Sequence, residues 1–320
     1  MNIAITGIAG YFGHIILRRL SEERNVKIVG IDIVEPKSLM NKGEFFKVDV
    51  RDPQIVVILG ENTIDVMVHL VFIMPPAHNR REAYDINVNG TRNVLDACYK
   101  ANVKKIIIAS STAVYGAHVD NPDWLTEDSP LRGNPEYYYS ADKMEVEQLC
   151  SQFAKAHSAI TMTILRPCDV YGPDAHYALA RVFDRKRVYL FEGFDPQYQF
   201  LHEDDLAEAF LLAIQKDTGG VFNVTPDGTL SLSEAAMLAG KEVGWVRLTR
   251  MMDIAMRVMA LLHLLDLETS PAARDIWKYR WTASNERIKR EFGFHPQYTS
   301  REAFASKYIH TVHSCTGKAG

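Results

Sequence analysis

Residues 3–32 constrain the fold more than any other stretch of the chain. An apolar run, Ile3, Ala4 and Ile5, ends in Thr6-Gly7, and glycine recurs at Gly7, Gly10 and Gly13. After Gly13 the pattern turns helical, with Ile16, Leu17 and Leu20 on one face and Arg18, Arg19, Glu22 and Glu23 on the other. A second apolar run, Val26 to Ile31, ends on Asp32. This spacing predicts strand, glycine turn, helix, strand and acid, the first half of a dinucleotide-binding unit. Each part has a reason. Gly7 permits the tight turn, Gly10 lets the backbone approach a pyrophosphate, and Gly13 lets helix and strand pack closely. Free N–H groups at the helix start face the phosphates. A carboxylate at the second strand end accepts the hydroxyls of an adenosine ribose.

The chain has 320 residues, enough for one large domain or two modest ones with a real core. Its net charge of −4 and pI near 6.3 give no bulk attraction to nucleic acid or to an anionic membrane. No apolar run reaches the roughly 18–20 residues that span a bilayer. The glycine turn starts within about ten residues of Met1, which leaves no room ahead of it for a signal or transit peptide. The expected compartment is therefore the cytoplasm. Cys98, Cys150, Cys168 and Cys315 are scattered, without a CxxC pair or His clusters at metal spacing, so reduced thiols and no metal are expected.

Short apolar strands alternate with helical stretches through the first half, at Phe45–Val48, Ile64–Leu70, Lys104–Ser110 and Ile160–Leu165. Such alternation predicts an α/β fold, a doubly wound parallel sheet of Rossmann type covered on both faces. Its ligand edge is where the strands end, at Gly7, Asp32, Asp49, Leu70, Ser110 and Pro167. After Pro167 the pattern loosens. Helices are expected near 231–242, 250–266, 284–292 and 300–312. The resulting division is 1–166 with 200–224 for the nucleotide domain, and 167–199 with 225–312 for a smaller, discontinuous C-terminal substrate lobe. Residues 313–320 form a tail.

The strand KKIIIAS delivers Ser110 and Ser111 to the ligand edge. Asn134-Pro135-Glu136 then predicts a helix start with proline at its first position. Tyr139 and Lys143 lie on that helix at i,i+4, on one face. A phenol is a poor base near neutral pH. An adjacent ammonium and an oxidised nicotinamide ring favour the phenolate, and a serine hydroxyl opposite holds the substrate oxygen. That set moves a proton on or off a carbinol. With 14 tyrosines, the Tyr-x-x-x-Lys spacing alone arises about 0.7 times by chance. Its weight comes from its place behind a nucleotide fingerprint and a serine-bearing strand end.

These motifs together resemble the extended short-chain dehydrogenase/reductase family, in particular its NAD-dependent epimerase/dehydratase branch. TGIAGYFG, VDVRD, VHL, INVNGTRNVLDAC, SSTAVYG, YSADK, LRPCDVYGP and FLHEDDLA follow in the family's order over essentially 1–310. The resemblance implies NAD as cofactor and Tyr139 as the acid/base. Lys143 would tune that phenol and bind the nicotinamide ribose, and Ser111 would hydrogen-bond the reacting oxygen. It also implies cofactor contacts from Tyr11 and Phe12 in the glycine turn, from Ile33 beside Asp32, and from Asp49 and Val50 around the adenine. Further contacts would come from Leu70 and Val71, from Asn87, from Ser110, and from the backbone near Pro167-Cys168. Helices 87–101 and 135–157 resemble the family's dimer surface, which allows a homodimer around a small-molecule substrate.

Departures from the family pattern bear on the reaction. Dehydratases carry acids in TDEVYG or TSEVYG where this chain has Thr112 and Ala113, so the acid needed for water elimination is missing. Asp169 stands where many UDP-sugar epimerases have a phosphate-facing Asn, and Tyr198 where they have an arginine; Arg181, Arg185, Arg247 or Arg250 are the available substitutes. Three readings follow. Epimerisation of a nucleotide sugar is preferred narrowly. Dehydrogenation or reduction of a sterol-like or other alcohol or ketone comes second, and a non-catalytic NAD-binding sensor third. The Met- and Leu-rich stretch 251–267 is expected to be lobe core, the alternative being the lining of a pocket for an apolar substrate such as a sterol. His69 is expected to pack or hydrogen-bond, His202 to cap a helix, Cys168 to pack, and Phe72-Ile73-Met74-Pro75-Pro76 to shape the substrate pocket or plug the cleft.

Overall fold

The computed structural model describes residues 1–36, 43–73, 79–175, 178–262 and 271–315. In the first half, β1 (Asn2–Thr6), α1 (Tyr11–Leu20), β2 (Lys27–Asp32), β3 (Gly43–Lys47), α2 (Ile55–Glu61) and β4 (Val66–His69) come first. They are followed by α3 (Arg80–Tyr84), a π-helical turn (Asp85–Asn89), α4 (Gly90–Lys100), β5 (Lys105–Ala109), a 3-10 turn (Thr112–Tyr115), α5 (Tyr138–Ala156) and β6 (Thr161–Pro167). The second half runs β7 (Asp169–Tyr171), α6 (Ala178–Val182), β8 (Arg187–Phe191), β9 (Gln197–Tyr198), β10 (Phe200–His202), α7 (Glu203–Gln215) and β11 (Gly220–Val224). It closes with β12 (Leu230–Ser231), α8 (Leu232–Leu238), β13 (Glu242–Val246), α9 (Arg250–Leu261), a 3-10 stretch (Pro271–Trp277), α10 (Glu286–Phe292) and α11 (Ser300–Cys315).

Seven strands form one parallel sheet in the order β11-β6-β5-β4-β1-β2-β3. The order reverses direction between β1 and β4, which opens a crevice at their carboxyl ends. Period-two alternation along each strand fills both faces. Ile3, Ile5, Val66, Val68 and Ile107 pack toward α1, α7 and α10. Ala4, Met67, Ile106 and Ile108 pack toward α2, α4 and α5. Each buried aliphatic side chain contributes about 1.5–3 kcal/mol, so the two layers fix the register of every strand. The predicted Rossmann-type sheet is present. Among the described residues, no helix is long and apolar enough to cross a membrane.

Beyond the sheet, short strands pair as β10 with β7, β12 with β9 and β13 with β8. They enclose a third core rich in aromatics, in which Phe304 lies 5.1 Å from Tyr171 and 4.8 Å from Phe200.

Four local expectations change. The helix carrying Tyr139 starts at Tyr138, not at Pro135. Asn134 instead spends its amide on the backbone of Ala117, at 2.9 and 3.1 Å, and its carbonyl closes a turn onto Tyr137 N. The helix expected over 231–242 stops at Leu238. Gly240 adopts φ +67°, and the chain turns into β13. The 251–267 stripe is not lobe core where it is described: Met251, Ile254 and Val258 on α9 are exposed, Met251 at 81%. Residues 263–267 of that stripe lie outside the described residues. Tyr198, which stands where many UDP-sugar epimerases have an arginine, is turned into the third core, fully buried, with its hydroxyl donating to the Ile276 carbonyl.

Candidate active site

The cofactor half of the site is made almost entirely of main chain. Gly7 sits at φ +74°, and a Cβ there would stand 3.0 Å from Val71 N. At Gly13 a Cβ would stand 2.4 Å from Ile8 O and 2.5 Å from Gly7 O, so the turn closes only over glycine. Gly10 is the N-cap of α1 and brings no side-chain cap, and no acid lies in the first helical turn. The first N–H groups of α1 thus present a positive end at the β1/β4 crevice, the arrangement that receives a pyrophosphate. Asp32 closes the far side: Oδ2 accepts from Ala9 N at 3.0 Å and Oδ1 from Val34 N at 3.1 Å. Each oxygen retains a lone pair for a ribose hydroxyl. Ile33 beside it is exposed. These residues fit NAD.

Other expected contacts are held in specific ways. Asp49 is bound by Arg51 through Nε at 2.9 Å and Nη2 at 2.7 Å, and this pairing holds its carboxyl below the usual range. The Val50 side chain is buried in the second core, and a Cβ on Gly90 would meet its Cγ2 at 2.6 Å. Asn87, fully buried, donates to Ile73 O and accepts from Ile73 N. Its amide therefore fixes the backbone just after β4, beside Leu70 and Val71. The Tyr11 hydroxyl donates to Glu203 at 2.9 Å, tying the glycine turn to α7, and Phe12 packs against the first core. Pro167 ends β6 opposite Val224, and Cys168 N donates to Val224 O. Burial raises the Cys168 thiol well above its usual range, which fits packing rather than nucleophilic work.

The reactive end is built from side chains. Ser111 follows β5 in extended conformation, and its Oγ accepts from Ala113 N at 3.2 Å. The neighbouring Ser140 donates to Ala113 O at 2.7 Å, which draws the serine turn onto α5. Lys143 is 4% exposed, donates to Ala109 O at 2.7 Å, and lies 5.9 Å from the Tyr139 ring centre. Its Nζ also stands 3.8 Å from the centre of the Phe72 ring, and that ring packs edge to face with Tyr139, their centres 5.3 Å apart. Burial pushes Lys143 down to about 7, with Glu147 acting in the opposite sense. Lys143 thus meets the end of β5 at Ala109, two residues before Ser111, with the Tyr139 ring alongside its ammonium.

His69 behaves as expected. Thr91 Oγ1 donates to Asn87 O, so it accepts from His69 Nε2; Nδ1 then accepts from Thr6 at 2.7 Å. Burial lowers its pKa to about 3, and it stays neutral. His202 caps α7 by accepting from Asp204 N. Phe72 turns out to be part of the reactive end; residues 74–76 of its stretch lie outside the described residues. Glu147 and Arg166 were not singled out in the sequence. The available signals were an acid one turn beyond Lys143, and an arginine inside an otherwise apolar strand.

Comparison with known proteins agrees with this architecture. The family model for the NAD dependent epimerase/dehydratase family matches residues 3–225. An uncharacterized protein of Mycobacterium tuberculosis is 27% identical over 317 residues, covering 94% of this chain and 82% of that protein. The UDP-glucose 4-epimerase of Lactobacillus helveticus is 34% identical over 179 residues, 54% of this chain and 52% of its own length. The UDP-glucose 4-epimerase of Thermus thermophilus, solved in complex with NAD, superposes with a TM-score of 0.76 at 20% identity, covering 100% of both chains. The chain belongs to the NAD-dependent epimerase/dehydratase family, within the extended short-chain dehydrogenase/reductases. It is an NAD-dependent enzyme of that type.

Proposed function

We propose that this enzyme reversibly oxidises a secondary alcohol, with a nucleotide sugar as substrate and epimerisation at the oxidised carbon as the net result. The observation that carries the reading is the buried Lys143, which donates to Ala109 O at the end of β5, two residues before Ser111, with the Tyr139 ring centre 5.9 Å from its ammonium. Bound NAD supplies the hydride acceptor. The Tyr139 phenolate takes the proton from the substrate hydroxyl and, as the phenol, returns it on the reverse step, while the Ser111 hydroxyl holds the same oxygen in line. The Lys143 ammonium favours the phenolate and reaches the nicotinamide ribose. Gly7, Gly10, Tyr11, Phe12 and Gly13 hold the pyrophosphate. Asp32 and Ile33 hold the adenosine ribose, with Asp49 and Val50 beside the adenine. Leu70, Val71 and Ser110 would border the nicotinamide side, with Asn87 holding the Ile73 backbone just beyond Val71 and Pro167-Cys168 on the side of the carboxamide. Segments 167–199 and 225–312 form the substrate lobe.

The second reading, oxidation or reduction of a non-sugar hydroxyl or ketone, draws on the burial of Tyr198, which leaves no side chain at that position to meet a diphosphate. One experiment separates the two. The purified chain is incubated with NAD and, in parallel, UDP-glucose, UDP-galactose, UDP-glucuronic acid and a 3-hydroxysteroid, following sugar interconversion by chromatography and NADH at 340 nm. Tyr139→Phe should lower turnover by roughly 10²–10⁴ while NAD binding persists. Unchanged turnover in that variant rejects the mechanism. Wild-type protein that binds NAD but converts nothing would favour the sensor.

A further inference from the structure

We propose that Glu147 is a positioning residue for this reaction: its carboxylate ties the end of β5, and with it Ser111, to the turn of α5 that carries Lys143, and its charge faces the Lys143 ammonium. The proposal rests on the roles given above to Ser111, Tyr139 and Lys143.

Lys143 and Glu147 are one turn apart on α5, and both are buried, at 4% and 2% exposure. Two consecutive residues at the end of β5 meet these two consecutive turns. Ala109 O accepts from Lys143 Nζ at 2.7 Å, and Ser110 Oγ donates to Glu147 Oε1. Ser111 is the next residue along the strand direction, where a slip of one position would turn its hydroxyl to the opposite face.

On its other side Glu147 accepts from Arg166 Nε at 2.9 and 3.2 Å and pairs with Nη2. Arg166 Nη1 donates to the Tyr115 hydroxyl at 2.6 Å, and that hydroxyl donates to Asn223 Oδ1 at 2.7 Å. The ion pair therefore grips both ends of the Ser110–Tyr115 segment: Glu147 holds Ser110, and Arg166 holds Tyr115. Buried ion pairs of this kind are a poor source of stability, because desolvation offsets their attraction. What this one secures is the geometry of the segment that carries Ser111.

The charges around Glu147 come from every neighbouring element. Lys143 and Cys150 lie on α5, Arg166 on β6, Tyr115 on the serine turn and Glu127 in the following loop, while the buried His69 on β4 is neutral. Removing the Glu147 charge withdraws attraction from Lys143, so the ammonium loses its proton at lower pH.

The test uses the full chain and NADH as the probe, titrated by nicotinamide fluorescence from pH 5.5 to 9. Wild-type affinity should fall as pH rises through a midpoint near 7, as Lys143 loses its charge. E147Q keeps the length but not the charge, and its midpoint should drop by about one pH unit. E147D keeps the charge but not the reach to Ser110. Its midpoint should stay, with affinity reduced about tenfold, the scale of one lost hydrogen bond to a charged group. A wild-type midpoint in E147Q overturns the proposal. Where E147Q does not fold, E147D and S110A decide, and wild-type affinity in both overturns it. K143M separates the two levels of inference. If K143M keeps the wild-type pH dependence, the assignment of Lys143 fails and this proposal falls with it. If K143M loses that dependence while E147Q keeps it, only this proposal falls.

Discussion

Lys143 makes the sharpest prediction, because its burial links stability to pH with a definite sign. In the unfolded chain its amine titrates near the usual 10.5, whereas burial in the fold lowers it to about 7. Between those values the unfolded state binds more protons than the native state, so stability rises with pH across that window. At ~1.4 kcal/mol per pH unit the full difference is about 5 kcal/mol. The Phe72 ring 3.8 Å from Nζ favours the ammonium and returns about 0.5–2 kcal/mol. The expected change is therefore about 3–4 kcal/mol. Lys143→Met keeps the length and removes the titration. Urea unfolding of both proteins, followed by circular dichroism at unit steps from pH 6 to 10 without NAD, reads this contribution, because groups remote from Lys143 cancel in the difference. Lys143→Met should be the more stable protein below pH 7, and the gap should close by about 3–4 kcal/mol toward pH 10. A gap that is constant with pH would refute the argument. The variant should also bind NADH more weakly, which is the functional return on a destabilising residue.

Two further predictions concern the cofactor half. Gly13→Ala should cost about 1–3 kcal/mol in thermal unfolding and weaken NAD binding, since the new methyl meets backbone oxygens 2.4 and 2.5 Å away that cannot swing aside. Gly60→Ala, with nothing within 4 Å, should be neutral or slightly stabilising, and equal effects in the two would contradict the steric account. The wild type should bind NAD at least about tenfold more tightly than NADP by calorimetric titration, because Asp32 repels a 2′-phosphate. Asp32→Ala should narrow that gap and, by freeing Ala9 N, also lower NAD affinity.

How far the sequence could be read depended on whether a feature was local. The glycine turn, its helix and Asp32 lie within thirty-two residues, and the sheet followed from apolar runs whose alternation the two cores require. The helix start failed at Asn134 because its amide partner, Ala117, is reached through a loop with no periodic signal. Gly240 shows a subtler failure: helical spacing continued past it, but a left-handed glycine stops the helix and frees the next residues to pair with β8. Motif alignment alone puts Tyr198 at a ligand-facing position. Its burial depends on Ile276 and Trp281, which lie roughly eighty residues further along the chain. Substrate preference is illegible for the same reason, since the third core draws its side chains from segments far apart in the chain.

The two halves of the site also differ in how they tolerate change. The proposed cofactor half rests on main-chain N–H groups, on the absence of Cβ atoms at Gly7 and Gly13, and on the single carboxylate of Asp32. Such a requirement is written in residue type and can be read from a motif. The reactive half depends on a buried polar chain: Ser110, Glu147, Arg166, Tyr115 and Asn223 run from β5 through β6 to β11. Each member is satisfied by the next, and loss of any one leaves a buried group without its partner. Substitutions along that chain should therefore couple to one another, whereas substitutions in the glycine turn should act independently of it. Under the proposed mechanism the geometry of Ser111 and Lys143 is set one layer behind them, where sequence motifs give the least guidance.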